Sequence, residues 1–297
     1  MAVVLLEDID DPIVSRIEER CFIELFDTVL MSINRNRATA DEISAGIENI
    51  IAYFRERGPP DACAAANFRT LGDSLGYFYW SSPLSAGVTR KKALAAIRNC
   101  PEFRSCFNQS SLKVVSVGGG TGSDLVGLYS ALYEGRSTFE NMEITLADSN
   151  SQWFPYHKAV EACLHEEIFG KASELIQSRN INTSFVCADL GNSLPANLQQ
   201  EIRNANLVWM KGLRSILSGD YERIRVTENV ISSMTPGSLF VVLDPLFYDD
   251  FDIFRNKLQR IFSTNVGHKY ELYLFPERFR FRFATSTNQE IIIFKRI

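Results

Sequence analysis

Glycines in alternation, aspartates at the ends of apolar runs and a lysine beside them carry the chemistry legible in this chain. Val114–Asp124 reads VVSVGGGTGSD: an apolar run, a glycine turn, then the start of a helix over Ser123–Tyr133. Glycines at Gly118, Gly120 and Gly122 let the backbone approach a ligand closely, because no Cβ stands in the way. The helix that follows aims its first N–H groups at whatever occupies the turn. Glu143–Asp148 (EITLAD) and Thr183–Leu190 (TSFVCADL) are apolar runs that close on Asp148 and Asp189. A carboxylate ending the second strand of a doubly wound sheet can accept hydrogen bonds from both ribose hydroxyls. Either aspartate alone is an ordinary strand-end or capping acid; in order after a glycine turn, they imply a nucleoside-bearing ligand.

The glycine spacing discriminates among nucleotides. The dinucleotide pattern G-x-G-x-x-G fails at Ser123 or Leu125, and no phosphate-binding lysine follows Gly122 or Gly127. A nicotinamide dehydrogenase is therefore disfavoured. The spacing that remains, G-x-G-x-G after an apolar strand, resembles motif I of the class I S-adenosylmethionine-dependent methyltransferases. The resemblance covers about residues 112–297. It implies that the turn wraps the methionine part of S-adenosylmethionine and that Asp148 takes the ribose hydroxyls. It implies that Asp189 accepts from the adenine amine while Leu190 packs on the ring. The implied cofactor set is Gly118, Gly119, Gly120, Thr121, Gly122, Asp148, Ser149, Ala188, Asp189, Leu190 and Met210. The activity implied is methyl transfer to an acceptor, a small molecule ahead of RNA or protein. The competing reading is a non-catalytic member that binds the cofactor or serves as an interaction module.

The acceptor side is less specified. In the resembling family it lies at the end of the fourth strand, here Trp209–Arg214 (WMKGLR). The Asn/Asp-Pro-Pro-aromatic signature is missing, as are the acid of ribose 2′-O enzymes and the Pro-Cys motif of cytosine-C5 chemistry. Lys211 is a candidate base if burial lowers its pKa, and otherwise a loop charge. Gly76–Trp80 (GYFYW) offers Tyr77 and Tyr79, whose faces would attract a sulfonium and whose hydroxyls could orient an acceptor. The alternative is a helix end packed between domains. Trp153 is a candidate adenine wall or a core residue. His157, His165 and His268 lack metal-ligand spacing, so no metal is expected.

The elements that must position these residues follow from periodicity. Ala205–Met210 and Ser238–Leu243 read as buried strands, the second stopped at Asp244-Pro245, with a helix through Tyr221, Ile224, Val230 and Ile231 between them. Phe251, Phe254, Leu258, Ile261 and Phe262 fall on one helical face, and Lys269–Phe275 and Glu290–Ile297 are β-prone. Arg278–Phe283 alternates arginine and phenylalanine; it reads as a solvated strand face, or a basic strip for phosphate or an acidic partner, and pairing with Glu290–Lys295 across Thr285–Asn288 is one option. Strands alternating with helices predict an α/β fold: a doubly wound, mostly parallel seven-stranded sheet with helices on both faces. The resemblance adds an antiparallel last strand inserted beside its neighbours.

Residues 1–110 are helix-prone and form an expected N-terminal all-helical subdomain, with the cofactor-binding domain at 111–297. One amphipathic helix carries Ile13, Ile17, Phe22, Leu25, Phe26 and Val29. Thr39–Glu42 has capping-box spacing before Ile43, Ile47, Ile50, Ile51 and Phe54, and Gly58-Pro59-Pro60 should stop that helix. A third helix is expected over Asp61–Leu75 and a fourth over Val88–Ile97. By family analogy this segment closes over the cofactor and shapes the acceptor pocket.

At 297 residues with 45% hydrophobic content, the chain can bury a large core. A net charge of −5 argues against broad nucleic-acid binding, although Arg90, Lys91, Lys92, Arg98 and Arg104 form a local basic stretch. The 6 cysteines form no C-x-x-C pair, and the apolar run Ala2–Leu6 is too short for a signal peptide. No stretch is long enough to span a bilayer. The expectation is a reducing cytoplasmic setting, with a nuclear one left open. Oligomeric state is not legible.

Overall fold

The computed structural model describes residues 11–61, 70–217, 219–245, 249–264, 270–274 and 283–297. Apolar runs pair into one large sheet. β1 (Ser111–Val117), β2 (Asn141–Asp148), β3 (Asn180–Cys187), β4 (Leu207–Lys211) and β5 (Leu239–Pro245) run parallel. β6 (Leu258–Ser263) closes the far edge. Two shorter strands, β7 (Tyr270–Leu274) and β8 (Phe283–Thr287), make a separate antiparallel ladder. The last strand, β9 (Gln289–Arg296), is antiparallel to both β5 and β6 and lies between them. The sheet order is β3-β2-β1-β4-β5-β9-β6, with the reversed last strand the resemblance implies. β4 and β5 are buried along almost their whole length, the pattern of strands covered on both faces.

Two cores sandwich the sheet. α5 (Ser123–Glu134), α6 (Trp153–Glu166) and α7 (Gly170–Ser178) cover one face. α8 (Ala196–Asn204), α9 (Asp220–Ser233) and a 3-10 turn at Phe251–Phe254 cover the other. The N-terminal helices, α1 (Pro12–Asn34), α2 (Ala40–Asp61), α3 (Leu71–Asn99) and the short α4 (Pro101–Cys106), join the first of these cores, which runs from Phe22 to Ile293. Among the described residues, no helix is long and apolar enough to cross a membrane.

Local chemistry sets the helix starts. Asp11 caps α1, its carboxylate accepting from the Ile13 N–H at 2.9 Å. The capping box at Thr39–Glu42 forms as the spacing predicts: the Thr39 N–H donates to Glu42 at 2.7 Å and the Glu42 N–H to Thr39 Oγ1 at 3.2 Å. Thr70 and Asp73 make a second one ahead of α3.

Tertiary packing overrides local signals in three places. Of the helices expected at 61–75 and 88–97, residues 71–75 and 88–97 belong to one, α3, which carries Pro83 in its interior, while 62–69 lie outside the described residues. The hydrogen bond that proline forfeits is offset because α3 is buried on most sides, with α1 and α2 against it and α5 along it. Likewise, α2 ends at Asp61, just past the prolines rather than before them. The helical face expected through Phe251–Phe262 is instead the 3-10 turn followed by β6. Leu258 buries into the second core and Phe262 into the first, on opposite faces of the sheet, because a register shift between Arg260 and Phe262 re-aims the chain against β9. β8 pairs with β7, not with the strand at 290–295; residues 278–282 of the arginine strip, and His268, lie outside the described residues.

The α3–α5 crossing is close enough to demand glycine. A Cβ on Gly127 would stand 2.1 Å from the Ala86 carbonyl oxygen and 2.9 Å from the Arg90 nitrogen, both backbone. Gly127→Ala should therefore destabilise the chain by about 1–3 kcal/mol in urea denaturation. The gain of ~1 kcal/mol in helix propensity is too small to reverse the sign.

Candidate functional site

The turn between β1 and α5 takes its shape from its glycines. Gly118, Gly120 and Gly122 all take left-handed backbone, with φ of 66°, 49° and 70°. The turn is tied to the end of β2. The N–H groups of Gly118 and Gly119 donate to the Ala147 carbonyl at 2.8 and 3.2 Å, and the Gly120 N–H donates to Asp148 Oδ2 at 2.9 Å.

These glycines are small for different reasons. A Cβ at Gly118 would meet Leu213 at 2.9 Å, one at Gly119 would meet Leu146 at 2.7 Å, and one at Gly122 would meet His157 Nδ1 at 2.2 Å. At Gly120 it would meet nothing within 4 Å. Three positions serve packing. Gly120 alone of the four faces open space, beside a carboxylate.

Asp148 is half-buried, and its second oxygen accepts from the Asn150 N–H at 2.8 Å. Burial pushes its pKa up, while the N–H groups of Asn150, Gly120 and Ser149 pull the other way. The Ala188 N–H donates to the Asp148 carbonyl at 3.0 Å, fixing the loop after β3 against the end of β2. Asp189 lies two residues beyond β3 rather than on it, and is exposed. Its oxygens accept from the Gly191 N–H at 2.9 Å and from Asn192 Nδ2 at 2.7 Å. α9 overhangs this loop: a Cβ on Gly191 would stand 3.2 Å from the Arg225 guanidinium. Ser149 is exposed, Thr121, Ala188 and Leu190 are buried, and Met210 lies wholly within the second core. The structure thus gathers the glycine turn, Asp148, Ser149 and Ala188–Leu190 at the carboxyl edge of β1, β2 and β3. Met210 contributes core.

Among the aromatics, Tyr77 packs on Trp153 at 5.6 Å between centroids, and Trp153 on Tyr156 at 5.3 Å. Trp153 opens α6, just past Asp148, so this chain of rings links α3 to the site's edge. Tyr79 is buried in the first core.

Beside the turn, across β1, β4 and β5, lies a line of charge that the sequence pattern did not assemble. Asp124, in the first turn of α5, is buried and accepts from Trp209 Nε1 at 2.8 Å. Asp244, at the end of β5, is buried and accepts from the N–H groups of Arg214 at 3.2 Å and Ser215 at 3.3 Å. Between them Lys211 ends β4, with burial holding its pKa down against the attraction of Asp124 and Asp244. Burial raises Asp124 as well, and pushes Asp244 up to about 6. Arg214 is fully buried beneath, donating to Thr227 Oγ1 at 2.6 Å, paired with Asp250 and stacked 4.4 Å from the Phe251 ring. Asp124 sits inside the glycine motif and Asp244 lies next to the last residue of β5, so acids near strand ends were the available signal.

Behind the turn, His157 is buried and its Nε2 lies 3.0 Å from Glu161. Burial alone would raise Glu161, but hydrogen bonds from His157, Lys158 and Thr183 outweigh it and bring its pKa down to about 2. A depressed carboxylate contributes stability above its ordinary value and loses it as pH falls through the folded value. The native chain should therefore lose stability between pH 4.5 and about 2, and Glu161→Gln should flatten that slope in urea titrations. Among the described residues no cluster of histidine, cysteine or carboxylate side chains could hold a metal ion.

No protein-family model matches the chain, and no curated protein matches it. Solved structures resemble it at low identity. One is precorrin-6y C5,15-methyltransferase from Geobacter metallireducens, 13% identical over 70% of this chain and 88% of that one, with a TM-score of 0.38. TehB from Haemophilus influenzae is 11% identical over 66% of this chain and 61% of its own, with a TM-score of 0.40. An S-adenosylmethionine-dependent methyltransferase from Methanosarcina mazei is 12% identical over 66% and 97%, with a TM-score of 0.38. The chain's own ladders decide its architecture: a doubly wound, mostly parallel seven-stranded sheet with a reversed last strand, the Rossmann-like fold that its glycine motif implies.

Proposed function

We propose that this chain is an S-adenosylmethionine-dependent methyltransferase acting on a small molecule. The observation that carries the reading is the open face of Gly120, held by Asp148 at the carboxyl edge of the sheet. The residues fit the cofactor: a Cβ-sized space lies over a left-handed glycine, and the Asp148 carboxylate, held by backbone N–H groups, retains lone pairs for ribose hydroxyls. In this reading Gly118–Gly122 form the cradle, with Ser149 beside Asp148 and Met210 supporting from beneath. Asp189 receives the adenine amine while Ala188 and Leu190 line the ring.

Bound there, S-adenosylmethionine supplies a methyl group on a sulfonium sulfur. The chain's own part is to align an acceptor in line with that bond and to exclude water. Lys211 accounts for the proton. Burial holds its pKa down, and as the methyl–sulfur bond broke and the acceptor–methyl bond formed, the Lys211 nitrogen would take the acceptor's proton. Asp124 and Asp244 then face the resulting ammonium.

Calorimetric titration with S-adenosylhomocysteine tests the pocket, with saturable binding expected. Lys211→Met should leave that affinity within about two-fold while lowering methyl transfer to cell-extract small molecules by about 10²-fold or more. Absence of binding would support the rival reading of a non-catalytic fold.

A further inference from the structure

At the opposite edge of the sheet, where β2 and β3 begin, the chain forms an open cavity of about 490 Å³. Its wall comes from the end of α5, the turn after it, α7 and Arg179. β2 is 8 residues long, which puts this cavity roughly 26 Å from the glycine turn at about 3.3 Å per residue. It cannot be part of the site described above.

Its electrostatics oppose those of the chain as a whole. The net charge is −5, yet one carboxylate here, Glu134, is shared by three cations. Arg90 and Lys171 reach it at 2.6 Å and Arg98 at 3.2 Å. Arg136 and Arg179 line the same cavity. The other acid close by, Glu174, is engaged with the Tyr133 hydroxyl. The cavity is left with a surplus of positive charge.

One of its cations is incompletely satisfied. Arg179 donates through Nη2 to the Ser137 carbonyl at 3.4 Å, but its Nε is buried with no hydrogen-bond partner. A buried guanidinium N–H without an acceptor is costly, and an anion is the partner its planar fork fits best. The volume suits a compact ligand rather than a polymer surface.

We propose that this cavity is a second ligand site that takes a small phosphate-bearing molecule through Arg136, Lys171 and Arg179. The inference does not rest on the methyltransferase reading. The same phosphate chemistry could be presented by a free metabolite or by a nucleic-acid strand; the small volume and the acidic remainder of the chain select the former.

Calorimetry on the whole chain with inorganic pyrophosphate tests it. Saturable one-site binding is expected, weakened by about ten-fold or more in Arg136→Gly and in Arg179→Gln. Arg136 holds left-handed backbone at φ 55°, where glycine is relaxed, so this variant removes the charge without endangering the fold. S-adenosylhomocysteine should bind both variants as it binds the parent chain if that pocket is real. Absence of saturable binding at millimolar pyrophosphate, or affinity unchanged from the parent chain in both variants, overturns the proposal. So does displacement of pyrophosphate by S-adenosylhomocysteine, which would place it at the glycine turn. Tighter binding of a single-stranded oligouridylate, lost in the same variants, would overturn the small-ligand assignment.

Discussion

Asp148→Ala is expected to lower affinity for S-adenosylhomocysteine by about two orders of magnitude while the chain stays folded. Two hydrogen bonds from ribose hydroxyls to a carboxylate, at about 1.5 kcal/mol each, amount to ~3 kcal/mol, or about 100-fold in Kd. The substitution also frees the Gly120 N–H, which donates to that carboxylate at 2.9 Å, so the one open position of the turn loses its anchor. Asn at this position keeps one acceptor oxygen and should give an intermediate loss. Calorimetry reads both variants, and ligand-dependent Tm shifts provide a second reading because ligand stabilises only the folded form that binds it. Unchanged affinity in Asp148→Ala would remove the ribose assignment altogether.

Breaking the buried pair between α3 and β9 should have the largest effect on stability. Lys92 Nζ lies 2.9 Å from Glu290, both side chains are 2% exposed, and Thr264 also donates to the same carboxylate oxygen. Burial lowers the lysine's pKa, and Glu290 counters that by favouring the charged form. Lys92→Met leaves the carboxylate buried without its counter-charge, which costs about 3–5 kcal/mol. In a chain of this size that is a fall in Tm of roughly 10 °C. The double substitution Lys92→Met/Glu290→Met removes both charges and should recover most of the loss, since replacing a buried pair by apolar groups is often neutral. If the single variant melts with the parent chain, the pair does not hold the N-terminal helices to the sheet.

How much of this was legible beforehand differs element by element. The glycine turn, the order of β1 to β5, the capping box at Thr39 and the strand-end acids could be read directly, because each depends on neighbours close in sequence. The helix expected at Phe251–Phe262 could not. Its spacing fits both a helix face and a bulged strand, and only pairing with β9, some thirty residues on, decides between them. The continuity of α3 through Pro83 was hidden for the same kind of reason: an interior proline is a strong local stop, outweighed where a helix is buried on most sides. The assembly of Asp124, Lys211 and Asp244 was likewise invisible, since three strands and one helix must be registered before those charges meet.

The amino-acid order by itself determined the motif, its left-handed glycines and the alternation that folds this chain as a doubly wound sheet. The tertiary structure decided which glycine faces open space and which merely makes room for Leu213, Leu146 or His157. It also decided that Lys211 stands among buried acids, and that arginines from α3, the turn after α5 and the loop before β3 gather around one cavity. The division has a physical basis. Backbone conformation is set over a few residues, whereas desolvation and charge depend on what distant segments bring into contact.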